Sequence, residues 1–447
     1  MIESVKKLLY FPVASYFRFF AAIRLKRWNP KIIVVTGSNG KTTLLHLLES
    51  QIGEKAKYSH HANSSYGIPF DILDLHRKSL LKTEWFGLFL KAPFNVFNNI
   101  PKEKLYVVEA DCDRPGEGKF LAELLTPDIV LWISTAKTHS MNFEYLVSRH
   151  PERSEGSWLN AGIDSSAAPQ NDRFNTVEEA IAYEFGYFLE YAKELVLIDG
   201  DSKLMNKQIS RTKAKVTEIK KSEILDSYDV GIKGTEFKID GKKYTFAQLL
   251  PEEVFYSIAM CRNVVEYLEL PFDPSFSGFH IPPGRGSIFE GIKNTTIVDS
   301  SYNANLSSMK AIISMYAKFT GRKKWVVLAD MLELGNNEKS EHEQLADVLN
   351  GMEFERIILI GPLNSRYTFP ILKTNKNKKA SFKNTKDVLP YLKNELSGEE
   401  IILFKGSQSF FTEWLIEGLL KNKEDAVRLA RRGKAWDTRR TNIGLSS

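Results

Sequence analysis

Short apolar runs alternate with longer amphipathic stretches from residue 31 to about residue 420. The runs are rich in β-branched residues and suit buried strands, whereas the stretches between them suit helices. The runs in the first half are Lys31–Val35, Leu105–Glu109, Asp128–Ser134 and Leu195–Ile198, and those in the second half are Thr295–Asp299, Trp325–Asp330, Arg356–Gly361 and Ile401–Phe404. This alternation predicts parallel sheets that helices cover on both faces, with ligands bound at the carboxyl ends of the strands.

Breaks in this pattern divide the chain. Pro282-Pro283-Gly284 marks a boundary, so residues 31–281 are expected to form a central domain and residues 282–420 a C-terminal domain. Residues 148–174 are polar and aperiodic, which indicates an inserted flexible loop without a catalytic role. The alternation in Lys233–Phe246, centred on Asp240-Gly241, predicts a hairpin, and a helix is expected over Pro251–Leu268.

The first apolar run ends in a turn that has the composition of a phosphate loop. The turn reads Thr36-Gly37-Ser38-Asn39-Gly40-Lys41-Thr42-Thr43, and a helix-like stretch follows. In such a loop the backbone N–H groups face an anion, the lysine reaches the terminal phosphates and the Thr42 hydroxyl can bind Mg²⁺. Position 35, where the general pattern has its first glycine, is valine. The strand before the turn and the helix after it favour a phosphate loop over a glycine turn formed by chance.

The predicted fold class is therefore α/β, with a central P-loop ATPase-like, doubly wound, mostly parallel sheet and a C-terminal Rossmann-like α/β domain. Residues 1–30 form an aromatic and basic segment that is expected to be helical. The apolar part of this segment is too short to span a bilayer and contains Pro12 and Arg18, and no cleavable signal peptide is visible. A helix packed on the next domain, and an interfacial helix that gives residues 1–27 peripheral membrane contact, both stay open.

Composition limits the remaining possibilities. The chain has 447 residues, 43% of them hydrophobic and 26% charged, which is typical of a globular protein of two or three domains. Its two cysteines indicate neither a disulfide framework nor a zinc site and suit the reducing cytoplasm. The net charge of +6 does not by itself imply a nucleic-acid partner. Much of the positive excess lies in residues 421–447, where a solvated tail and a segment that contacts phosphate or acidic lipid are the alternatives. A monomer is expected.

Read together, the motifs resemble the Mur ligase family, and within it the branch that adds D-Ala-D-Ala to a UDP-muramyl tripeptide. The resemblance covers about residues 31 to 420. In the first half it rests on the phosphate loop, Asn63–Pro69, Glu109 and His139; in the second half it rests on Gly284-Arg285, Asp299–Asn305, Ala329–Gly335 with His342, and Lys405-Gly406-Ser407.

The resemblance implies ATP-dependent amide formation on a cell-wall precursor, with ATP and Mg²⁺ as cofactors. The carboxylate of a muramyl peptide is activated as an acyl phosphate, and the amine of an amino acid or of a dipeptide such as D-Ala-D-Ala attacks it. By resemblance the catalytic residues are Lys41, Glu109 and His139, and Thr42, Glu109 and His139 hold metal. The implied ATP-binding residues are Gly37, Ser38, Asn39, Gly40, Lys41, Thr42, Thr43, Arg285 and Asp299. The implied substrate-binding residues are Asn63, Ser64, Asn303, Asn305, Lys405 and Ser407. Purely structural roles stay open for several of these residues. The alternatives are a strand-end acid for Glu109, a loop histidine for His139, a salt bridge for Arg285, a turn or helix cap for Asp299, Asn303 and Asn305, and a plain turn for Lys405 and Ser407.

Three departures from the family pattern change the expectations. Nothing in residues 1–30 resembles the family's UDP-sugar-binding domain, so a lipid-linked or other carboxylate is an alternative substrate. Phe185 aligns with the lysine that the family carbamylates, and we hypothesise that Glu184 supplies the missing anionic oxygen. Tyr256 lies near the position of an adenine-binding asparagine and either stacks on the base or packs in the core. A catalytically impaired ATP-binding scaffold is the alternative of a different class.

Overall fold

The computed structural model describes residues 9–60, 62–77, 84–147 and 174–445. Residues 1–8 and nearly all of the predicted insertion 148–174 lie outside the described residues. The chain divides into two compact units, the first formed by Met1–Glu223 with Tyr256–Phe272 and the second by Ile224–Phe255 with Asp273–Ser447. The predicted α/β fold class is confirmed.

A six-stranded parallel sheet forms the centre of the first unit. Its strands are β1 (Lys31–Thr36), β2 (Ala56–Tyr58), β3 (Leu105–Ala110), β4 (Ile129–Trp132), β5 (Leu195–Asp199) and β6 (Lys215–Ile219). The strands lie side by side in the order β2-β3-β1-β4-β5-β6. The β1 side chains Ile32 to Val35 are buried because helices cover both faces of the sheet. The strand order reverses at β1, so its carboxyl end lies at the topological switch point where such sheets bind ligands.

Helices precede, connect and follow these strands. They are α1 (Tyr10–Trp28), α2 (Lys41–Ile52), α3 (Gly67–Leu73), α4 (Glu84–Asn95), α5 (Glu117–Leu125), α6 (Val177–Glu190), α7 (Lys203–Asn206), α8 (Lys221–Ile224) and α9 (Val254–Tyr267). Helix α1 buries Ala14, Phe17 and Ala21 in the same core as the sheet. The Trp28 indole N–H also donates to the Glu103 carbonyl. This face of α1 is therefore packed on the domain that follows, as in the first of the two alternatives for the N-terminal segment.

The second unit holds a mixed sheet and a small antiparallel sheet. The strands of the mixed sheet are β10 (Ser287–Glu290), β11 (Thr296–Ser300), β12 (Lys324–Ala329), β13 (Arg356–Ile360), β14 (Lys379–Phe382) and β15 (Ile401–Lys405). They lie in the order β10-β11-β15-β12-β13-β14, and only β10 is antiparallel to its neighbour. The helices are α10 (Leu306–Ala317), α11 (Glu338–Asn350), α12 (Val388–Glu395), α13 (Thr412–Leu419) and α14 (Lys434–Asn442).

The small sheet consists of β7 (Leu225–Gly231), β8 (Gly234–Ile239) and β9 (Lys242–Phe246). The β8–β9 turn lies at Asp240-Gly241 as the alternation predicted, and both residues have positive φ. The sequence boundary at residue 282 would leave this sheet in the central domain, whereas it clusters with the second unit. The reason lies in packing, because Val230 and Leu249 belong to the core of that unit.

The basic C-terminal residues are part of the second unit. They include α14, and Arg431 and Arg440 are buried. The Arg431 guanidinium forms two hydrogen bonds with the Glu413 carboxylate, at 2.8 and 2.7 Å, and donates to the carbonyls of Ser301 and Tyr302. This part of the predicted solvated tail therefore packs beneath the loop that follows β11.

Candidate active site

The phosphate loop connects β1 to α2 through two glycines with positive φ. Gly37 has φ 128°, and a Cβ there would lie 2.7 Å from the Ser134 carbonyl oxygen. Gly40, with φ 83°, precedes the first residue of α2. Only glycine adopts these conformations without strain. Val35, at the position of the missing first glycine, is still a buried β1 residue opposite Glu109. The strand thus continues through the position where other phosphate loops begin to turn.

The segment after β4 braces the loop. Asn39 N–H donates to Ser134 Oγ at 2.7 Å, and Ser134 Oγ donates to the Asn39 carbonyl at 2.8 Å. Ser38 N–H donates to the Ser134 carbonyl, and Ser38 Oγ bonds with the backbone of Ala136. The Ser38 side chain and the Asn39 backbone are therefore positioned by the segment that leads to His139.

Lys41 is buried at the start of α2 between a carbonyl and a carboxylate. Its Nζ lies 2.5 Å from the Gly37 carbonyl oxygen and 2.7 Å from Asp111 Oδ2. Burial disfavours the charge, but Asp111 and Glu109 outweigh burial and raise the pKa of Lys41 above its usual value. A positive charge is thus fixed at the start of α2, between the Gly37 carbonyl and the Asp111 carboxylate.

Thr42, at the amino end of α2, and Glu109, at the carboxyl end of β3, lie next to each other. Thr42 Oγ1 donates to Glu109 Oε2 at 3.0 Å, and the Glu109 N–H donates to Ser59 Oγ at 2.9 Å. Hydroxyl and carboxylate oxygens are the ligands that Mg²⁺ prefers.

His139 is also brought to this edge of the sheet. The residue has φ 52°, and its Nε2 lies 3.2 Å from Asp113 Oδ1. Burial and the nearby Asp111 raise the pKa of Asp113 to about 6, while His139 opposes the shift. Asp111 and Asp113 were not predicted from the sequence. The signal that could have found them is the acidic series Glu109-Ala110-Asp111-Cys112-Asp113 directly after a buried strand.

The segment containing Asn63 and Ser64 meets the same group of acids through its backbone. The Asn63 carbonyl accepts from Asp111 N–H at 2.8 Å. Ser64 Oγ accepts from Gly67 N–H, the first residue of α3. The next residue, Ser65, donates its N–H to the buried Glu117 carboxylate at 2.9 Å. The segment is therefore fixed beside the phosphate loop, and substrate binding by Asn63 and Ser64 stays a prediction.

Glu184 and Phe185 occupy different environments on α6. Phe185 is fully buried, and its ring centroid is 5.9 Å from that of Trp132. The Glu184 carboxylate accepts from the N–H groups of Gly116 and Gly118, at 2.9 and 3.1 Å, at the amino end of α5. Burial raises the pKa of Glu184, although these two donors favour its charged form. Both Glu184 oxygens are thus engaged by a helix terminus, and a role in metal binding stays a hypothesis.

Tyr256 is nearly buried on α9. Its hydroxyl donates to Asp201 Oδ2 at 2.5 Å. The hydroxyl is therefore held by a carboxylate within the first unit, and stacking on a base stays a prediction.

The predicted residues of the second unit converge at the carboxyl ends of β11 and β15. Lys405 is buried, and its Nζ donates to the Asn303 carbonyl at 2.8 Å. Burial and the Arg285 charge lower the pKa of Lys405 to about 7, against the effect of Asp299. Burial also raises the pKa of Asp299 to about 6, and Asp299 Oδ1 accepts from Ser301 N–H. The Arg285 guanidinium lies 4.1 Å from the centre of the Tyr302 ring.

Asn305 and Ser407 also have structural roles. The Asn305 side chain accepts from Ser308 N–H in a capping box at the start of α10, which is the helix-cap alternative left open by the sequence. Ser407 Oγ accepts from Leu332 N–H at 3.0 Å. Substrate binding by Asn303, Asn305, Lys405 and Ser407 stays a prediction.

The first-unit residues fit a magnesium–nucleotide ligand by their chemistry. The loop has two glycines that allow close backbone approach, one buried cation and a helix amino end. The oxygen donors beside it are Thr42, Glu109, Asp111 and Asp113. This set combines positive charge for phosphate with hard oxygen ligands for a divalent cation.

Comparisons with known proteins agree with these observations. Residues 284–408 match the family described as Mur ligase, glutamate ligase domain. Over 407 residues the chain is 25% identical to the UDP-N-acetylmuramoyl-tripeptide–D-alanyl-D-alanine ligase of Bacillus subtilis, and the alignment covers 89% of this chain and 78% of that relative. The predicted resemblance to the Mur ligases is confirmed.

Solved structures share the fold. The MurF ligase of Thermotoga maritima, in complex with ADP, aligns with a TM-score of 0.69 at 19% identity and covers 93% of this chain and 84% of its own. A MurF of Acinetobacter baumannii aligns with a TM-score of 0.70 at 15% identity and covers 91% of this chain and 80% of its own.

Proposed function

We propose that this protein, whose second unit carries a Mur ligase domain, is an ATP-dependent carboxylate–amine ligase of peptidoglycan precursor synthesis. The observation that carries the proposal is the group formed by Lys41, Thr42, Glu109 and Asp111 at the switch point of a parallel sheet. The proposed donor is the carboxylate of a muramyl peptide, and the proposed acceptor is the amine of an amino acid or a dipeptide such as D-Ala-D-Ala.

The residues of the first unit suit phosphoryl transfer from ATP to a carboxylate. Both reactants are anionic, so their approach requires positive charge and oriented N–H groups. Lys41 supplies the positive charge, and the Asp111 carboxylate keeps its amine protonated and holds it beside the loop. Mg²⁺, held by Thr42, Glu109 and His139, neutralises further phosphate charge when bound. Asp113 orients His139 in this arrangement.

The substrate is the part of the proposal with an open alternative. The Bacillus subtilis relative is named for a UDP-linked muramyl tripeptide and D-Ala-D-Ala. A lipid-linked muramyl peptide keeps the same carboxylate and amine and changes only the carrier. The alternative of another class, an ATP-binding scaffold, is suggested by the fully buried Phe185, which offers no oxygen to a metal.

Phosphate release measured with ATP and Mg²⁺ tests the activity. UDP-linked and lipid-linked muramyl peptides are supplied separately, each with and without D-Ala-D-Ala. We expect amine-dependent phosphate release and a ligated product detected by mass spectrometry. Lys41→Met should lower turnover by about 100-fold or more, because one positioned donor to developing charge is lost. The control is Lys55→Met, which replaces an exposed lysine in the turn after α2. ATP binding without amine-dependent turnover on any carrier would support the scaffold and overturn the ligase.

We also propose peripheral contact with the inner face of the cell membrane. No helix among the described residues is long and apolar enough to cross a membrane. Helix α4 and the turn after it expose Phe86, Leu90, Phe94 and Phe97, of which the last is 79% exposed. Their spacing places the first three on one side of the helix. This exposed apolar face exceeds the single scattered residues that are normal on a protein surface.

The neighbouring charges favour an anionic bilayer as the partner. Phe19 and Ile23 are the large exposed apolar residues in the middle of α1, and Arg27 follows one turn later. The Arg27 guanidinium lies 6.0 Å from the centre of the Phe97 ring, so the carboxyl end of α1 lies beside the turn after α4. The exposed charged residues between the start of α4 and the start of β3 are Lys91, Lys102 and Lys104. Aromatic residues flanked by cations suit the headgroup region of anionic membranes. The predicted contact through residues 1–27 is thus extended to α4.

Flotation with vesicles tests this contact independently of catalysis. We expect binding to vesicles that contain phosphatidylglycerol and much weaker binding to phosphatidylcholine alone. The double variant F86S/F94S should lose binding and keep its thermal midpoint. Val427→Ser, which replaces an apolar residue that is 80% exposed in the second unit, is the matched control. Equal flotation of F86S/F94S and wild type would refute the contact and leave the ligase proposal untouched.

A further inference from the structure

We propose that His46, Glu49 and His60 form a binding site for a divalent transition-metal ion, with Zn²⁺ as the physiological candidate. These three residues are the imidazole–carboxylate site below. It uses none of the residues assigned above to ATP, Mg²⁺ or substrate. Its ligands come from α2 and from the segment that follows β2.

The ligand atoms converge without any change of backbone. His46 Nδ1 lies 2.9 Å from Glu49 Oε2, and His60 Nε2 lies 3.0 Å from Glu49 Oε1. One atom from each of the three residues falls within 4.8 Å of the other two. Ligands about 2.1 Å from a tetrahedral metal lie about 3.4 Å from one another, so an ion would displace the two hydrogen bonds with small side-chain shifts.

Neighbouring structure orients both imidazoles. His46 and Glu49 are three residues apart on α2 and therefore share one helix face. The rings of His46 and His60 stack with centroids 5.1 Å apart and an angle of 23° between their planes. The Tyr58 ring also stacks on the His60 ring, with centroids 5.9 Å apart. These contacts favour one arrangement of the two nitrogen ligands.

The donor set selects the class of ion. Two imidazoles and one carboxylate match zinc and related transition metals, whereas Mg²⁺ and Ca²⁺ prefer oxygen ligands alone. The His60 and Glu49 side chains are each 37% exposed, so solvent can supply the fourth ligand. A site of three protein ligands and one water is of the open type.

The location gives the site a consequence for the phosphate loop. Helix α2 begins at Lys41, and His60 follows Ser59, whose hydroxyl accepts from Glu109 N–H. An ion at this site would cross-link the phosphate-loop helix to the segment that contacts Glu109. We therefore infer that metal binding stabilises these two segments against local opening.

Competition with a chromophoric chelator measures the binding. The full-length protein, stripped of metal with EDTA, is titrated with Zn²⁺, and Co²⁺ is added separately to detect the visible bands of tetrahedral coordination. We expect one Zn²⁺ per chain, and we expect His60→Gln to weaken binding by at least about tenfold. Wild-type protein should also show slower hydrogen exchange in residues 41–60 when Zn²⁺ is present, and His60→Gln should not.

His76→Gln is the matched control, because His76 pairs with Asp74 at 2.9 Å on the surface and the described residues offer this pair no third ligand. Its affinity for Zn²⁺ should equal that of wild type. Equal thermal midpoints of the two variants without metal exclude misfolding as the cause. No stoichiometric binding by wild type, or an unchanged affinity in His60→Gln, would overturn the proposal. The ligase assay is run with Mg²⁺ alone, so its result is independent of this site.

Discussion

Replacing Arg431 by methionine should destabilise the second unit far more than its position near the C-terminus suggests. The guanidinium is 4% exposed and pairs with Glu413, whose side chain is fully buried. It also donates to the Ser301 and Tyr302 carbonyls at 2.6 and 2.7 Å. Methionine fills a similar volume but leaves the Glu413 charge without a partner.

The buried ion pair determines how much stability R431M loses. Removing one partner of such a pair typically costs about 3–5 kcal/mol, because the remaining charge stays buried. The double variant R431M/E413M removes both charges, and like R431M it leaves the Ser301 and Tyr302 carbonyls without this donor, at about 1–3 kcal/mol for a buried carbonyl. The double variant should therefore be more stable than R431M alone.

The same region offers a control. Arg428 and Asp425 are 2.9 Å apart, but the Arg428 side chain is 58% exposed. Because solvent screens exposed pairs, Arg428→Met should cost less than about 1 kcal/mol. Hydrogen exchange of peptides from β11, β15 and α13 in increasing urea reports the free energy of unfolding for this unit alone.

Two results would refute the reasoning. One is an R431M cost as small as that of R428M, and the other is a double variant less stable than R431M. Phosphate release measured on the same samples should fall in R431M, because Ser301 and Tyr302 connect Asp299, in β11, to Asn303.

Three further predictions concern separate features. Gly118→Ala should lower the free energy of unfolding by about 1–3 kcal/mol, because the added Cβ would lie 2.2 Å from the Glu184 carbonyl oxygen. Gly87→Ala has open space around the added Cβ and should stabilise α4 by about 0.5–1 kcal/mol. Thermal melting compares the two variants, and equal effects would contradict the packing argument. Glu184→Gln should lower stability by about 1–3 kcal/mol and leave turnover per folded molecule unchanged, because both Glu184 oxygens accept hydrogen bonds from the backbone at the amino end of α5. A tenfold fall in turnover at wild-type stability would instead support the metal-ligand hypothesis. Lys405, whose pKa is lowered to about 7 in the folded chain, loses its proton there, whereas the unfolded chain keeps this proton up to about pH 10. The free energy of unfolding of wild type relative to Lys405→Met should therefore rise by about 1.4 kcal/mol per pH unit between these two values. A pH-independent difference in urea unfolding would show that Lys405 stays charged.

The strands and the phosphate loop were predictable because local sequence determines them. β1 is a β-branched run that Gly37 follows, and the hairpin turns at Asp240-Gly241, so each element has a nearby signal. The residues of the phosphate loop converge because the strand order places the ends of β1, β3 and β4 side by side. That part of the site follows from the alternation of strands and helices.

The partners of the site were not predictable from local sequence. Asp111 follows a strand, and its sequence context indicates only a turn residue. In the fold its Oδ2 lies 2.7 Å from the Nζ of Lys41, which precedes it by seventy positions in the chain. Arg431 reads as one of many tail charges, and its carbonyl acceptors precede it by 129 and 130 positions. Asn305 reads equally as a cap or a ligand, and only the Ser308 hydrogen bonds distinguish the cap. Periodicity gives the element but not the identity of a distant partner.

The contact between Gly37 and Ser134 has an evolutionary consequence. Because a Cβ on Gly37 would meet the Ser134 backbone and because Ser134 Oγ bonds the N–H and the carbonyl of Asn39, these contacts restrict which residues positions 37 and 134 can carry. A substitution at position 134 would alter nucleotide affinity although that side chain is not expected to touch the nucleotide. Homologues should therefore keep glycine at position 37 and a hydroxyl residue at position 134, whatever side chain they carry at position 39.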